Sequence, residues 1–185
     1  MNSVGCPEDE TLPNATHRAT GPSGVHAGDA SEVGQLFGAL AVVRTLLDVP
    51  HPLETGWAER FIHDYRRAFE AGESIAFAVV LRAGGHLVGG ILLKLNPRDD
   101  NGELAYLVGA PYWGRGYATE AAKEVVRYGF EELGLHRIHA NLLGNNPASG
   151  KVLWKVGMSY EGTRPEHGAT KYNPRPGNTT TIYKE

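Results

Sequence analysis

The sequence predicts one α/β domain, and three features carry that reading. The chain has 185 residues, 41% of them apolar and 21% charged, which suits one well-buried core and is too short for two comfortable ones. Two stretches with apolar residues at helical spacing come first, and three short β-rich runs joined by tight turns follow. A glycine-rich turn then leads from the last of those runs into a strong helix.

Residues 1–24 are rich in Gly, Pro, Thr, Asn, Asp and Glu and lack the basic start and apolar run of a secretory signal. They read as a flexible tail ahead of a domain spanning 25–185. Asp29 or Ser31 can cap a helix whose apolar positions are Val33, Leu36, Phe37, Leu40 and Val43. Pro50 and Pro52 must break it, because each removes a backbone donor and pushes its predecessor into extended geometry. Trp57, Phe61, Ile62, Tyr65 and Phe69 form one apolar stripe on a second helix, Thr55 to Ala71, with Gly72 as its stop. Strands are expected over Ile75–Arg82, His86–Leu95 and Glu103–Gly109, an antiparallel meander. A helix from Thr119 to Leu133 buries Ala122, Val126, Phe130 and Leu133, and Gly134 ends it. Leu135–Leu143 alternates as a strand, Asn146–Val156 is a short helix, and Ser159–Thr163 and Thr179–Tyr183 supply two more strands.

Composition removes several functions. A net charge of −3 offers no broad basic face for nucleic acid. No stretch of about 20 apolar residues exists to span a membrane. Cys6 is the only cysteine, so no disulfide forms within the chain, and a reducing, cytoplasmic setting is expected. Cys6 lies in the polar tail, without the fixed electropositive surroundings a reactive thiol needs. His136 and His139 are three apart on a strand and face opposite sides, so they do not converge on a metal ion, and no metal is expected.

The chemistry is expected around Gly114 and Gly116. A helix N-terminus offers unpaired N–H groups and the positive end of a dipole, and glycines let a phosphate approach the backbone closely. A tight strand-to-helix connection without a ligand is the plainer alternative. The third glycine of a dinucleotide fingerprint is replaced by Thr119, and the preceding strands are joined by hairpins rather than crossover helices. Tyr117-Ala118-Thr119 is not the Gly-Lys-Ser/Thr of a P-loop either.

The run Tyr112-Trp113-Gly114-Arg115-Gly116-Tyr117-Ala118-Thr119-Glu120-Ala121 resembles the phosphate loop of the GNAT superfamily of N-acetyltransferases, whose pattern is Arg/Gln-x-x-Gly-x-Gly/Ala. It matches at Gly116 and Ala118, with Trp113 in place of Arg or Gln. That replacement is similar to the branch that acetylates N-terminal alanines of ribosomal proteins. Asn146-Pro147-Ala148-Ser149 and Lys155-Val156-Gly157-Met158, followed by Tyr160-Glu161-Gly162, resemble the same branch, with Met for Phe. The resemblance covers roughly Asp29 to Gly162 and departs after Glu166.

The resemblance implies a GNAT-like mixed, mostly antiparallel sheet of six to seven strands with helices on both faces, and acetyl-CoA as co-substrate. Gly114 and the main-chain N–H groups of Arg115, Gly116, Tyr117, Ala118 and Thr119 would hold its pyrophosphate. Leu107, Val108 and Gly109 would pair with the pantetheine arm like a further strand. Asn146 would hydrogen-bond that arm, and it also suits a helix N-cap ahead of Pro147. Glu103, where many members carry the base, is a candidate to take the amine's proton, or else a solvated hairpin-end carboxylate. Ser149 is a candidate to meet the leaving sulfur, or else serves only the backbone. Glu161 is a further candidate to contact the amine. Many relatives carry a Tyr acid where this chain has Trp154, which is expected to pack beside the CoA site. The leading function is acetyl transfer to a primary amine such as a protein N-terminus. A small-molecule amine (an aminoglycoside or polyamine) and a CoA-binding module without turnover are the alternatives. A homodimer is compatible with this reading.

Overall fold

Apolar alternation in the middle of the chain builds three consecutive hairpin-linked strands, β2 (Ser74–Leu81), β3 (Leu87–Asn96) and β4 (Asn101–Val108). The computed structural model describes residues 15–19, 29–46, 49–144, 146–164 and 179–185. Four more strands complete the sheet: β1 (Ala15–Ala19), β5 (Arg137–Leu143), β6 (Ser159–Arg164) and β7 (Thr179–Lys184). Their order is β1-β2-β3-β4-β5-β7-β6, and every pairing is antiparallel except β4 with β5.

Residues of opposite parity face opposite sides of this sheet, and each side has its own core. On one side Phe77, Leu93, Leu104 and Ile138 are buried against α4 (Tyr117–Glu131) and α5 (Pro147–Lys155), through Ala122, Val125 and Leu153. On the other, Ala78, Val80 and Leu87 pack on α1 (Ala30–Gly38) and α3 (Trp57–Glu70), through Val33, Phe37, Ala58 and Ile62. Helices therefore cover both faces, as expected.

Two expectations are corrected here. Ala15–Ala19, inside the stretch read as a tail, pairs with β2 from Ala15↔Leu81 to Ala19↔Phe77. Only Thr16 there favours a strand by propensity, so the ladder offered by the outer edge of β2 carries the pairing. The rest of 1–24 and the segment 165–178 lie outside the described residues. The helix expected to run through Leu40 and Val43 breaks at Ala39, which is extended (ψ 121°), and restarts as α2 (Leu40–Val43). Gly38 weakens the helix at that point, and the break turns Val42 and Val43 inward while Leu40 stays exposed.

α4 lies close on the sheet because of Gly129. A Cβ there would sit 2.6 Å from Ile138 Cδ1 and 3.2 Å from Leu93 Cδ2. Helix propensity alone predicts that Gly129→Ala gains about 1 kcal/mol. The overlap reverses that sign, with a net loss expected of about 1–3 kcal/mol. Urea unfolding measures it, and a stabilised variant would refute the close approach.

Candidate active site

β4 and β5 run parallel and pair over only Asn101–Glu103 with Arg137–His139. Beyond Glu103 they diverge, so the upper half of β4 is bonded to β3 on one side and faces an opening on the other. A cleft of about 1120 Å³ fills that opening, lined by the glycine loop, Tyr106, Asn146 and Ser149, and reaching Glu103, Asn141 and Tyr65.

At the loop, Gly114 (φ 75°) and Gly116 (φ 91°) adopt the left-handed conformation, and a Cβ on either would meet open space. The N–H groups of Gly114, Arg115, Gly116, Tyr117 and Ala118 have no partner among the described residues, whereas that of Thr119 donates to the Gly116 carbonyl at 2.9 Å. The loop is thus a concave row of donors at the start of a fifteen-residue helix, the geometry that suits a phosphate. Thr119 contributes no free backbone donor to it. Arg115 lies over the Tyr112 ring, 5.9 Å from its centre.

Along β4 the backbone groups alternate between β3 and the opening. The Gly109 N–H donates to the Val88 carbonyl on β3 at 2.8 Å, so Val108 presents its polar groups to the opening and Leu107 presents its own to β3. Only Val108 of the three residues expected at the pantetheine arm faces the right way with its backbone. Its carbonyl already accepts the Trp113 indole N–H at 2.6 Å. That bond gives Trp113 a task which the Arg or Gln of the commoner pattern did not suggest.

Side-chain parity divides the remaining residues. Tyr106 shares a face with Leu104, beneath α5, and its hydroxyl lies 2.7 Å from Ser149 Oγ and 2.9 Å from the Ser149 carbonyl. Asn146 caps α5 by accepting the Ser149 N–H on Oδ1 at 3.2 Å. Glu103 points to the opposite face. Asn141 Nδ2 donates to Glu103 Oε1 at 2.8 Å, and Arg164 donates to Asn141 Oδ1 at 3.1 Å. The structure therefore brings the loop, Asn146 and Ser149 to one side of the opening and Glu103 to the other.

An acetyltransferase (GNAT) domain model matches residues 24–159. The chain belongs to the GNAT acetyltransferase family. The uncharacterized N-acetyltransferase YnaD of Bacillus subtilis is 37% identical over 86 residues, 46% of this chain and 51% of that protein. The chain thus spans about half the length of that relative. Among solved structures, a ribosomal-protein-S5-alanine acetyltransferase from Vibrio fischeri superposes with a TM-score of 0.81 at 18% identity, covering 96% of each chain. Spermidine N-acetyltransferase from Vibrio cholerae, in complex with CoA and spermine, superposes at 0.77 and 20% identity over 92% of this chain and 94% of that one. At such identities the likeness is one of fold.

One residue of this GNAT domain differs from expectation. Trp154 is 59% exposed and does not pack beside the cleft, because Leu153 takes the inward position on α5 and the next residue points away. Glu161, the further candidate to contact the amine, is paired with Arg137 on β5. Sequence reasoning missed Tyr106. The signal available was its parity with Leu104, which puts a phenol on a face otherwise apolar, but its partner lies 43 residues away.

Burial pushes the Tyr106 phenol up to about 12, with the Ser149 hydrogen bond acting in the opposite sense. Below pH 10 the phenol is neutral in both folded and unfolded chains. Between pH 10 and about 12 the unfolded chain has released the proton while the folded one still holds it, so stability falls as pH rises. Relative to Tyr106→Phe, the wild type should lose about 2–3 kcal/mol across that window. Parallel urea-melt stabilities of the two proteins from pH 9 to 11.5 would refute the buried phenol.

Proposed function

We propose that this protein is an acetyl-CoA-dependent N-acetyltransferase that moves an acetyl group onto a primary amine. One observation carries the reading: the three-residue pairing of β4 with β5 opens the sheet between a phosphate-type donor row and a carboxylate on the far face. The loop fits a pyrophosphate, since its donors are unpartnered among the described residues and its glycine Cβ positions are open. Val108 N–H and the Asn146 amide lie along the route a pantetheine arm would take from that loop. Acetyl-CoA supplies an acyl group activated as a thioester.

The chain's own residues then divide the work. Glu103 receives the proton that the amine sheds as its nitrogen lone pair forms the C–N bond. Asn141, held by Arg164, fixes one carboxylate oxygen of Glu103 and leaves Oε2 for that proton. Ser149 faces the sulfur on the opposite side, where the electron pair of the broken C–S bond comes to rest. Amine and cofactor thus enter from opposite faces.

The acceptor we favour is a protein N-terminus, on the motif runs Tyr112–Ala121 and Asn146–Met158 and the likeness to the Vibrio fischeri enzyme. The protein acts in the cytoplasm, as a monomer or homodimer, without metal, membrane or nucleic acid. Thiol release from acetyl-CoA, with mass spectrometry of products across N-terminal peptides, polyamines and aminoglycosides, tests both activity and acceptor. No product from any amine would leave a CoA-binding module instead.

Glu103→Gln should cut turnover by about 10²- to 10⁴-fold at pH 7 while acetyl-CoA affinity holds. A normal rate at pH 7 removes Glu103 from the mechanism. Gly116→Glu sets an anion against the pyrophosphate, at a cost of several kcal/mol, about 100-fold or more in Kd. Calorimetry showing unchanged affinity in the folded variant would remove the loop assignment.

A further inference from the structure

The contact between Tyr106 and Ser149 poses a problem of proton supply. A phenol has one proton, yet the Tyr106 oxygen lies within hydrogen-bonding distance of two Ser149 atoms, Oγ at 2.7 Å and the carbonyl oxygen at 2.9 Å. The carbonyl can only accept. If Tyr106 donates to it, the short contact to Oγ requires Ser149 to donate back to the phenol oxygen. Ser149 then has no proton to offer the cleft. If Tyr106 donates to Oγ, the Ser149 proton is released to point elsewhere.

Two structural facts make the second arrangement accessible. Ser149 is the third residue of α5, so its carbonyl is placed to accept the helical N–H four residues on and does not depend on the phenol. Its backbone is fixed by the Asn146 cap, so the hydroxyl turns about one bond while its base stays still. Rotating two hydroxyl protons exchanges the arrangements with no movement of heavy atoms.

Resting on the acetyltransferase reading above, we propose that Tyr106 is the positioning residue that turns Ser149 into a hydrogen-bond donor toward the departing sulfur. As the C–S bond breaks and charge gathers on sulfur, the Ser149 hydroxyl points to it and the Tyr106 hydroxyl fills the acceptor position Ser149 offers. A donor whose own oxygen accepts a hydrogen bond is polarised, and the pair stabilises the thiolate more than a lone serine does. No proton leaves either hydroxyl. With the phenol pushed up to about 12 and a thiol near 8.5, transfer along the chain to sulfur would run uphill by more than three units. Tyr106 therefore acts through Ser149, and the thiolate leaves unprotonated.

The test is a double-mutant cycle on kcat with the best acceptor from the amine panel. Tyr106→Phe keeps the ring and should lower kcat about tenfold, the scale of one hydrogen bond, with KM for acetyl-CoA and acceptor within about twofold. Ser149→Ala should lower it about 10- to 100-fold. In the Ser149→Ala background Tyr106→Phe should have no further effect, because its only route to the sulfur is gone. A ring that merely packs would give additive losses or changes in KM, and either result overturns the proposal, as does an unaltered kcat in Tyr106→Phe. If Tyr106→Phe misfolds, Ser149→Ala alone decides, since a fully active Ser149→Ala leaves Tyr106 nothing to position. A wild-type protein that acetylates no amine ends the acetyltransferase reading itself, a result the other outcomes do not mimic.

Discussion

The parallel contact between β4 and β5 is three residue pairs long, and the arrangement of the cleft follows from that brevity. Parallel strands need a crossover, and here α4 supplies it. The crossover begins at the glycine loop, so the same segment that carries the chain over the sheet also presents a helix N-terminus at the mouth of the gap. Had the two strands stayed paired to the end of β4, the edge at Val108 would be filled and the loop would close over a continuous sheet.

Side-chain parity then sorts the chemistry without any further device. From Glu103 to Tyr106 is an odd step along one strand, so the two residues emerge on opposite faces. One face finds Asn141 and Arg164, and the other finds Ser149. A polar group on each face of an otherwise apolar strand is tolerable because each has a partner, and an unpartnered one would cost about 1–3 kcal/mol. On the proposed function, the bonds that satisfy these groups on folding also hold them for the chemistry.

Element types were legible because their periods differ strongly. The stripe of Trp57, Phe61 and Tyr65 gave α3, the alternation through Ile91 and Leu93 gave β3, and Gly134, at φ 67°, marked where the chain leaves α4. The glycine loop was legible because Gly114 and Gly116 sit at a strand-to-helix junction. What escaped was long-range or indifferent to propensity. β1 has one strand-favouring residue in five, and only the edge of β2 orders it. Ala39 breaks a helix that its own propensity would continue, in favour of burying Val42 and Val43. The Tyr106–Ser149 contact joins elements separated by a whole crossover, and spacing alone cannot place one against the other. Trp154 was misplaced because a one-residue step on α5 rotates a side chain by about 100°.

A sheet that parts in its middle carries a liability that the bond from Trp113 to Val108 addresses. An unpaired strand edge is a template on which a foreign extended segment can add itself, which is why folded proteins blunt their edges. On the proposed function this edge has to stay open to a ligand, so a permanent proline or bulge would not serve it. The indole takes the Val108 carbonyl instead, through a single bond from a side chain that is half exposed and anchored on a loop. Such a guard occupies the acceptor at the outermost rung, which a stray strand would otherwise find open, with one side-chain bond and no change to the backbone.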